Sequence, residues 1–363
     1  MARSSAARLA LGMVISALVV ACSGAASPSP TANPTDTPPP GAPTSAVTAE
    51  PGTLPSPELT ELSVGAGITE MGQYPGILAA QAGIYEKYGI TVDYSVFEGD
   101  GRVAQALQAG QLDVGFGSVS AALSSQLTDI PFVIVGLFAL KSSDDLVCQN
   151  GLDSADDVRG KTIAISSFGG VSHGAALLLL RELGLSPVDA VITVVGGQGS
   201  RIAALQGGSI DCAIVDLVRR DEMTGLGFTI AATLENSTQQ YGISGMLFRE
   251  DFIAQYPNTA LVVVAANLEA QNMIWLDPDA VVPLYAEFSE QDEEAAEIQV
   301  QDWLQLGNRS LLWEDEAFIN PQKTIAAVNP DIIEIEITDA GDRSFLEALI
   351  DNGFYEKIGN PIP

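Results

Sequence analysis

The chain has 363 residues, 47% of them apolar, with 46 acidic against 16 basic side chains and a formal net charge of −30. That balance excludes nucleic acid as a partner, because neutralising phosphates takes lysine and arginine, and it works against docking on anionic lipid. One histidine and three cysteines without zinc-ligand spacing leave no metal or cofactor to expect.

From the N-terminus, Arg3 and Arg8 precede an apolar run of 13 residues, Leu9 to Ala21. Spanning a bilayer takes about 20 helical residues, so the run is too short and fits a secretory signal over 1–21. It ends Val19-Val20-Ala21-Cys22, which looks like a bacterial lipobox. Cys22 is therefore expected to carry acyl chains, and an incidental cysteine behind a plain signal is the alternative. Loss of the leader removes two arginines and no acids, leaving 14 basic against 46 acidic residues, a net of −32. Residues 22–60 follow as a tether. They hold ten of the 20 prolines amid Ser, Thr, Ala and Gly, and burial there cannot offset ordering entropy. A flexible coil of that length averages roughly 35 Å end to end.

Residues 61–363 suffice for two lobes. Strands are expected at Leu62–Gly67, Thr91–Phe97 and Pro131–Phe138, with a helix from Pro75 to Gly89. The polar, acidic stretch 141–161 reads as a crossover. The pattern then restarts with strand Thr162–Ile165, helix Ser172–Leu183 and strand Val191–Val195, and Ile243–Phe252 is the return strand. Residues 257–363 read as helical, with breaks at Pro278, Pro321 and Pro330. Strands alternating with helices give parallel sheets. One stretch occurs twice: GRVAQALQAGQLD at 101–113 and GSRIAALQGGSID at 199–211, each a helix, a turn and a strand, running on into apolar 114–117 and 212–215. Gly110 and Gly208 stand where a left-handed helix cap is needed. The domain plan is thus 61–142 for lobe one, 143–240 for lobe two, and 241–363 for the return to lobe one with the C-terminal helices. Cys148 and Cys212 are either bridged, which an oxidising exterior permits, or buried free thiols.

With both lobes laid out, the chain resembles the solute-binding lipoproteins of ABC importers, in the group that takes nitrate, taurine, alkanesulfonates and hydroxymethylpyrimidine precursors. The resemblance lies in YPGILAAQAGIYEKYGITV at 74–92, GDGRVAQALQAGQLDVGFGS at 99–118 and DSADDVRGKTIAISSFGGVSHGAALLLLRELGL at 153–185. It implies a type II periplasmic-binding-protein fold: two α/β lobes, each a mostly parallel sheet flanked by helices, joined by two crossover strands. It also implies hinge closure on a solute, a permease and ATPase as partners, a monomer, and an extracytoplasmic place held to the membrane through the lipid alone. No catalytic residue is expected. The solute is of heterocycle, amino-sulfonate or carboxylate type. A membrane-anchored sensor on the same fold is the alternative. A precursor synthase is a weaker one, because five lysines come with no cysteine cluster.

Ligands in open parallel sheets sit beyond the carboxyl ends of the strands. In lobe one that rule selects Thr69, Glu70, Glu98, Asp100, Gly117, Ser118 and Ser120. In lobe two it selects Ser166, Ser167, Phe168, Gly169, Gly170, His173, Gly197, Gln198 and Asp216. The Ser166–Ser172 loop opens a helix, so its free amides favour an anionic group, and the resemblance carries oxyanion contact to Ser166, Ser167 and Gly170. Phe168 either stacks on a flat ligand or simply packs. His173 either bonds the ligand as a neutral ring or packs against its helix. The carboxyls of Glu70, Glu98, Asp100 and Asp216 would repel a pure anion if they face the cleft, and a zwitterion or nitrogen heterocycle fits such mixed polarity better.

Overall fold

The structure, a computed structural model, describes residues 51–168, 170–237, 240–326 and 329–362. The leader over 1–21, Cys22 and the tether as far as residue 50 lie outside the described residues, as does Gly169.

The first sheet contains β1 (Glu61–Ala66), β2 (Thr91–Val96), β3 (Val114–Gly117) and β4 (Phe132–Ala139). The second contains β5 (Asp144–Cys148), β6 (Thr162–Ile165), β7 (Val191–Val194), β8 (Cys212–Asp216) and β9 (Thr229–Thr233). The chain then returns to the first sheet as β10 (Ser244–Arg249). The orders are β2-β1-β3-β10-β4 and β7-β6-β8-β5-β9. Each sheet has one antiparallel member, β10 in the first and β5 in the second, and both occupy the same place in their sheet. β3, a central strand, is buried along its whole length, and so is β4 at the sheet edge, where Gly341 and Gly307 bridge to its outer side.

The repeated stretch does the same work twice. Asp113 Oδ2 accepts the Ser63 amide and hydroxyl, both at 2.8 Å, and Asp211 Oδ2 accepts the Thr162 amide and hydroxyl at 2.9 and 2.8 Å. Asp113 thereby pins β3 to β1, and Asp211 pins β8 to β6. Gly110 and Gly208 end the two helices at φ 66° and 67°, a conformation glycine takes without steric cost.

Four expectations need correction. The stretch 141–161 is not all crossover, because Asp144–Cys148 is strand β5, with its register placing Cys148 opposite Cys212. The two sulfurs are joined as a disulfide. The helix from Pro75 divides into Tyr74–Gln81 and Ile84–Lys87 around Gly83, whose φ is 68°. The tether stops short of residue 60: Leu54 and Leu59 pack on the core, and Glu58 accepts the Asn258 and Thr259 amides at the start of helix Pro257–Leu276. Burial would raise the Glu58 carboxyl, but those hydrogen bonds outweigh it and hold its pKa below the ordinary value. Pro321 does not break its helix. It lies inside Glu316–Ala326, and the Ala317 carbonyl that its missing N–H leaves free accepts Gly242 N–H at 2.8 Å instead.

Helix Pro257–Leu276 is long and apolar enough to cross a membrane, yet it runs through the core, with Val262 to Leu268 buried.

Candidate functional site

The two crossings between the sheets run side by side: Tyr241 N–H donates to Leu140 O at 2.8 Å and Ile243 N–H to Ala139 O at 3.2 Å. A cavity of about 80 Å³ opens beside them. Its walls come from the loop after β1 (Glu70, Met71), the first crossing (Lys141, Ser142), the start of β5 (Asp144), and the strand ends of the second lobe (Ser166, Gln198, Asp216). Helix Glu293–Leu306 adds Asp302 and Trp303.

Arg201 is the residue the sequence reading missed. It sits on the second repeat helix (Gln198–Gln206), where the first copy carries fully buried Val103. Arg201 is only 4% exposed; its Nε donates to Ile214 O at 3.0 Å and its Nη1 to Gly196 O at 2.9 Å. Those carbonyls hold the guanidinium at the cavity wall, where burial lowers its pKa against the raising influence of Glu70, Asp144 and Asp216. The signal was present in the repeat: an arginine at the apolar i+3 position of a helix whose twin has valine.

Asp216 caps the turn after β8, accepting Val218 N–H at 3.2 Å, and its own N–H donates to Gln198 Oε1 at 2.8 Å. Burial, then the neighbouring Asp144, pushes its carboxyl up to about 8. Asp144 accepts the Ser142 hydroxyl and is also raised, chiefly by burial.

Asp100 has a different task. It begins the first repeat helix (Asp100–Gln108) and is 1% exposed. Its Oδ1 accepts Gln73 Nε2 at 2.8 Å, and Gln73 in turn accepts Gly67 N–H at 2.6 Å. Its Oδ2 reaches across to the other lobe and accepts Val171 N–H at 3.1 Å, the first amide of helix Val171–Glu182. The Ser118 hydroxyl also bonds it. Gly101 N–H completes the contact by donating to Ser167 Oγ at 3.2 Å. Burial lifts the Asp100 carboxyl to about 6 even though these hydrogen bonds lower it. The amide expected to meet an oxyanion thus meets a carboxylate of the same chain. Asp100→Ala is expected to leave buried donors on Gln73 and Val171 without acceptors, costing about 1–3 kcal/mol. A fall in Tm that sulfate partly restores checks it, and a fall that sulfate leaves unchanged contradicts it.

The structure brings together Glu70, Ser166, Gln198 and Asp216 around the cavity. It sets Asp100, Ser118, Ser167 and Gly170 at the contact between lobes, with Gly117 directly beneath Asp100; a Cβ on Gly170 would come within 2.8 Å of Ser167 Oγ. Phe168 and His173 lie elsewhere, in a separate groove of about 540 Å³. There Phe168 is 61% exposed and meets His173 edge-on at 5.3 Å, and burial lowers the imidazole to about 4, so the ring is neutral. Thr69 and Glu98 point to solvent, and Ser120 and Gly197 line neither space. Gly169 lies outside the described residues.

The family model described as NMT1-like matches residues 56–282. The riboflavin-binding protein of Chloroflexus aurantiacus is 27% identical over 288 residues, 77% of this chain and 77% of that protein. A Bordetella bronchiseptica structure aligns with TM-score 0.71 and 18% identity over 84% of this chain and 99% of its own. The alkanesulfonate-binding protein of Xanthomonas axonopodis pv. citri, solved with MOPS, aligns with TM-score 0.63 and 17% identity over 80% and 98%. At such identities the structures show the fold, the two-lobe periplasmic-binding architecture.

Proposed function

The chain belongs to the NMT1-like family, and from that premise we propose that it is the solute-binding component of an ABC importer. It captures a small organic solute between its lobes and presents it to a permease. The observation that carries this reading is the cavity beside the two crossings, walled by both lobes and lined by polar groups that the fold leaves turned inward. Paired connections of this kind let two lobes rotate together around a ligand. Its binding-protein relatives, the riboflavin binder among them, support capture without turnover. The Val19–Cys22 signal supports an extracytoplasmic protein anchored through lipid on Cys22.

Native mass spectrometry of the protein isolated from its source tests the reading. A retained small molecule is expected, and adding it back to stripped protein should raise Tm and compact the scattering envelope. No retained solute, together with no response to pools of heterocycles, amino-sulfonates, carboxylates and amines, overturns it.

A further inference from the structure

Granting that the cavity holds a solute, we propose that this solute is a small organic cation, a protonated amine or amidine, held by Glu70, Asp144 and Asp216. Three observations converge. The cavity is lined by four carboxyl groups, these three and Asp302, and among the described residues none of them makes an ion pair within 4.0 Å. The next residue shows the contrast: Asp145, on the other face of β5, is fully paired with Arg220. Unpaired carboxylates gathered in one partly buried cavity call for a cation.

Second, the seat for an anion is taken. Val171 N–H, at the start of its 12-residue helix, already donates to Asp100. Third, Arg201 has given its Nε–H and one N–H of Nη1 to backbone carbonyls, which takes its side-on fork and leaves a single positive charge facing four carboxyl groups. Arg201 lines the cavity, and among the described residues its Nη2 makes no hydrogen bond, so the solute also presents a neutral acceptor, a hydroxyl or carbonyl oxygen. Lys141 stands exposed on the rim and leaves the acidic excess inside.

A cation also changes the protonation of the wall. Asp216 faces Glu70 from the loop after β1, Asp144 from β5, Asp302 from helix Glu293–Leu306 and Arg201 from the second repeat helix, with the Tyr285 hydroxyl nearby. Its carboxyl, raised in the empty cavity, ionises when an ammonium arrives. Affinity therefore rises with pH and levels off above about 8, while the amine itself stays protonated.

The experiment uses the purified full chain and matched two-carbon probes: ethanolamine, taurine and ethanesulfonate. 1,4-Diaminobutane and 4-aminobutanamide extend the amine series. Calorimetry in buffers of different ionisation enthalpy reads affinity and proton release together. At least one amine should bind tenfold or more tightly than taurine, with ethanesulfonate silent and up to about one proton released at pH 7. Asp216→Asn should lower amine affinity at least tenfold and abolish the release, and Asp144→Asn gives a second reading if that variant folds poorly. Taurine or ethanesulfonate binding as well as the amines, or an anion retained by the native protein, overturns the cation and leaves solute binding intact. No binding by any amine overturns the cation, and with no retained solute either, solute binding falls too.

Discussion

Arg220→Ala is expected to destabilise the protein by about 3–5 kcal/mol, more than any other single surface-proximal change. Arg220 grips Asp145 with two parallel hydrogen bonds, Nε and Nη2 each at 2.7 Å, and the Asp145 side chain is 0% exposed. Removing the guanidinium strands a carboxylate with no water to receive it. Arg220 also holds Glu235 and Thr233, both at 2.6 Å, so it ties β5 to the end of β9. The denaturant midpoint should fall with the slope unchanged. Asp145→Leu combined with Arg220→Leu should recover much of the loss, because the penalty lies in the unpaired charge. A loss below about 1 kcal/mol, the size expected for an exposed pair such as Arg219–Glu222, would place Asp145 in contact with solvent.

Replacing both Cys148 and Cys212 by alanine should cost about 2–4 kcal/mol, because the bridge closes a 64-residue loop and so restricts the unfolded chain. Both residues are fully buried in neighbouring strands. Reductant should bring the native protein down to the stability of the variant and leave the variant unmoved. Equal Tm with and without reductant in the native protein contradicts this account.

The duplicated stretch made the two lobes legible, since its glycine caps and strand-pinning aspartates are local features that repeat wherever the fold repeats. Strand β5 was hidden because Asp144 and Asp145 read as a polar connection. What makes Asp145 a core residue is an arginine 75 positions away. The cavity was only half legible. Strand ends located Glu70, Ser166, Gln198 and Asp216, but Asp302 and Trp303 come from a helix 86 residues beyond Asp216, and nothing local marks them as wall. Asp100 was found at its strand end, but its bond to the helix of the other lobe was not legible. A loop acid next to an anion-favouring helix reads as a ligand contact, and only the packing of the two lobes shows that it is itself the anion.

The strand order also fixes a sequence of events during synthesis. Every strand of β7-β6-β8-β5-β9 comes from one unbroken stretch, 144–233, and the cysteine pair lies within it. The other sheet begins earlier in the chain but lacks its fourth strand until 244–249 has been made, and its long core helix comes later still, at 257–276. The lobe that starts first is therefore finished last. Until then β3 and β4 present unpaired edges to each other across the gap that β10 fills, and those edges can pair with other chains.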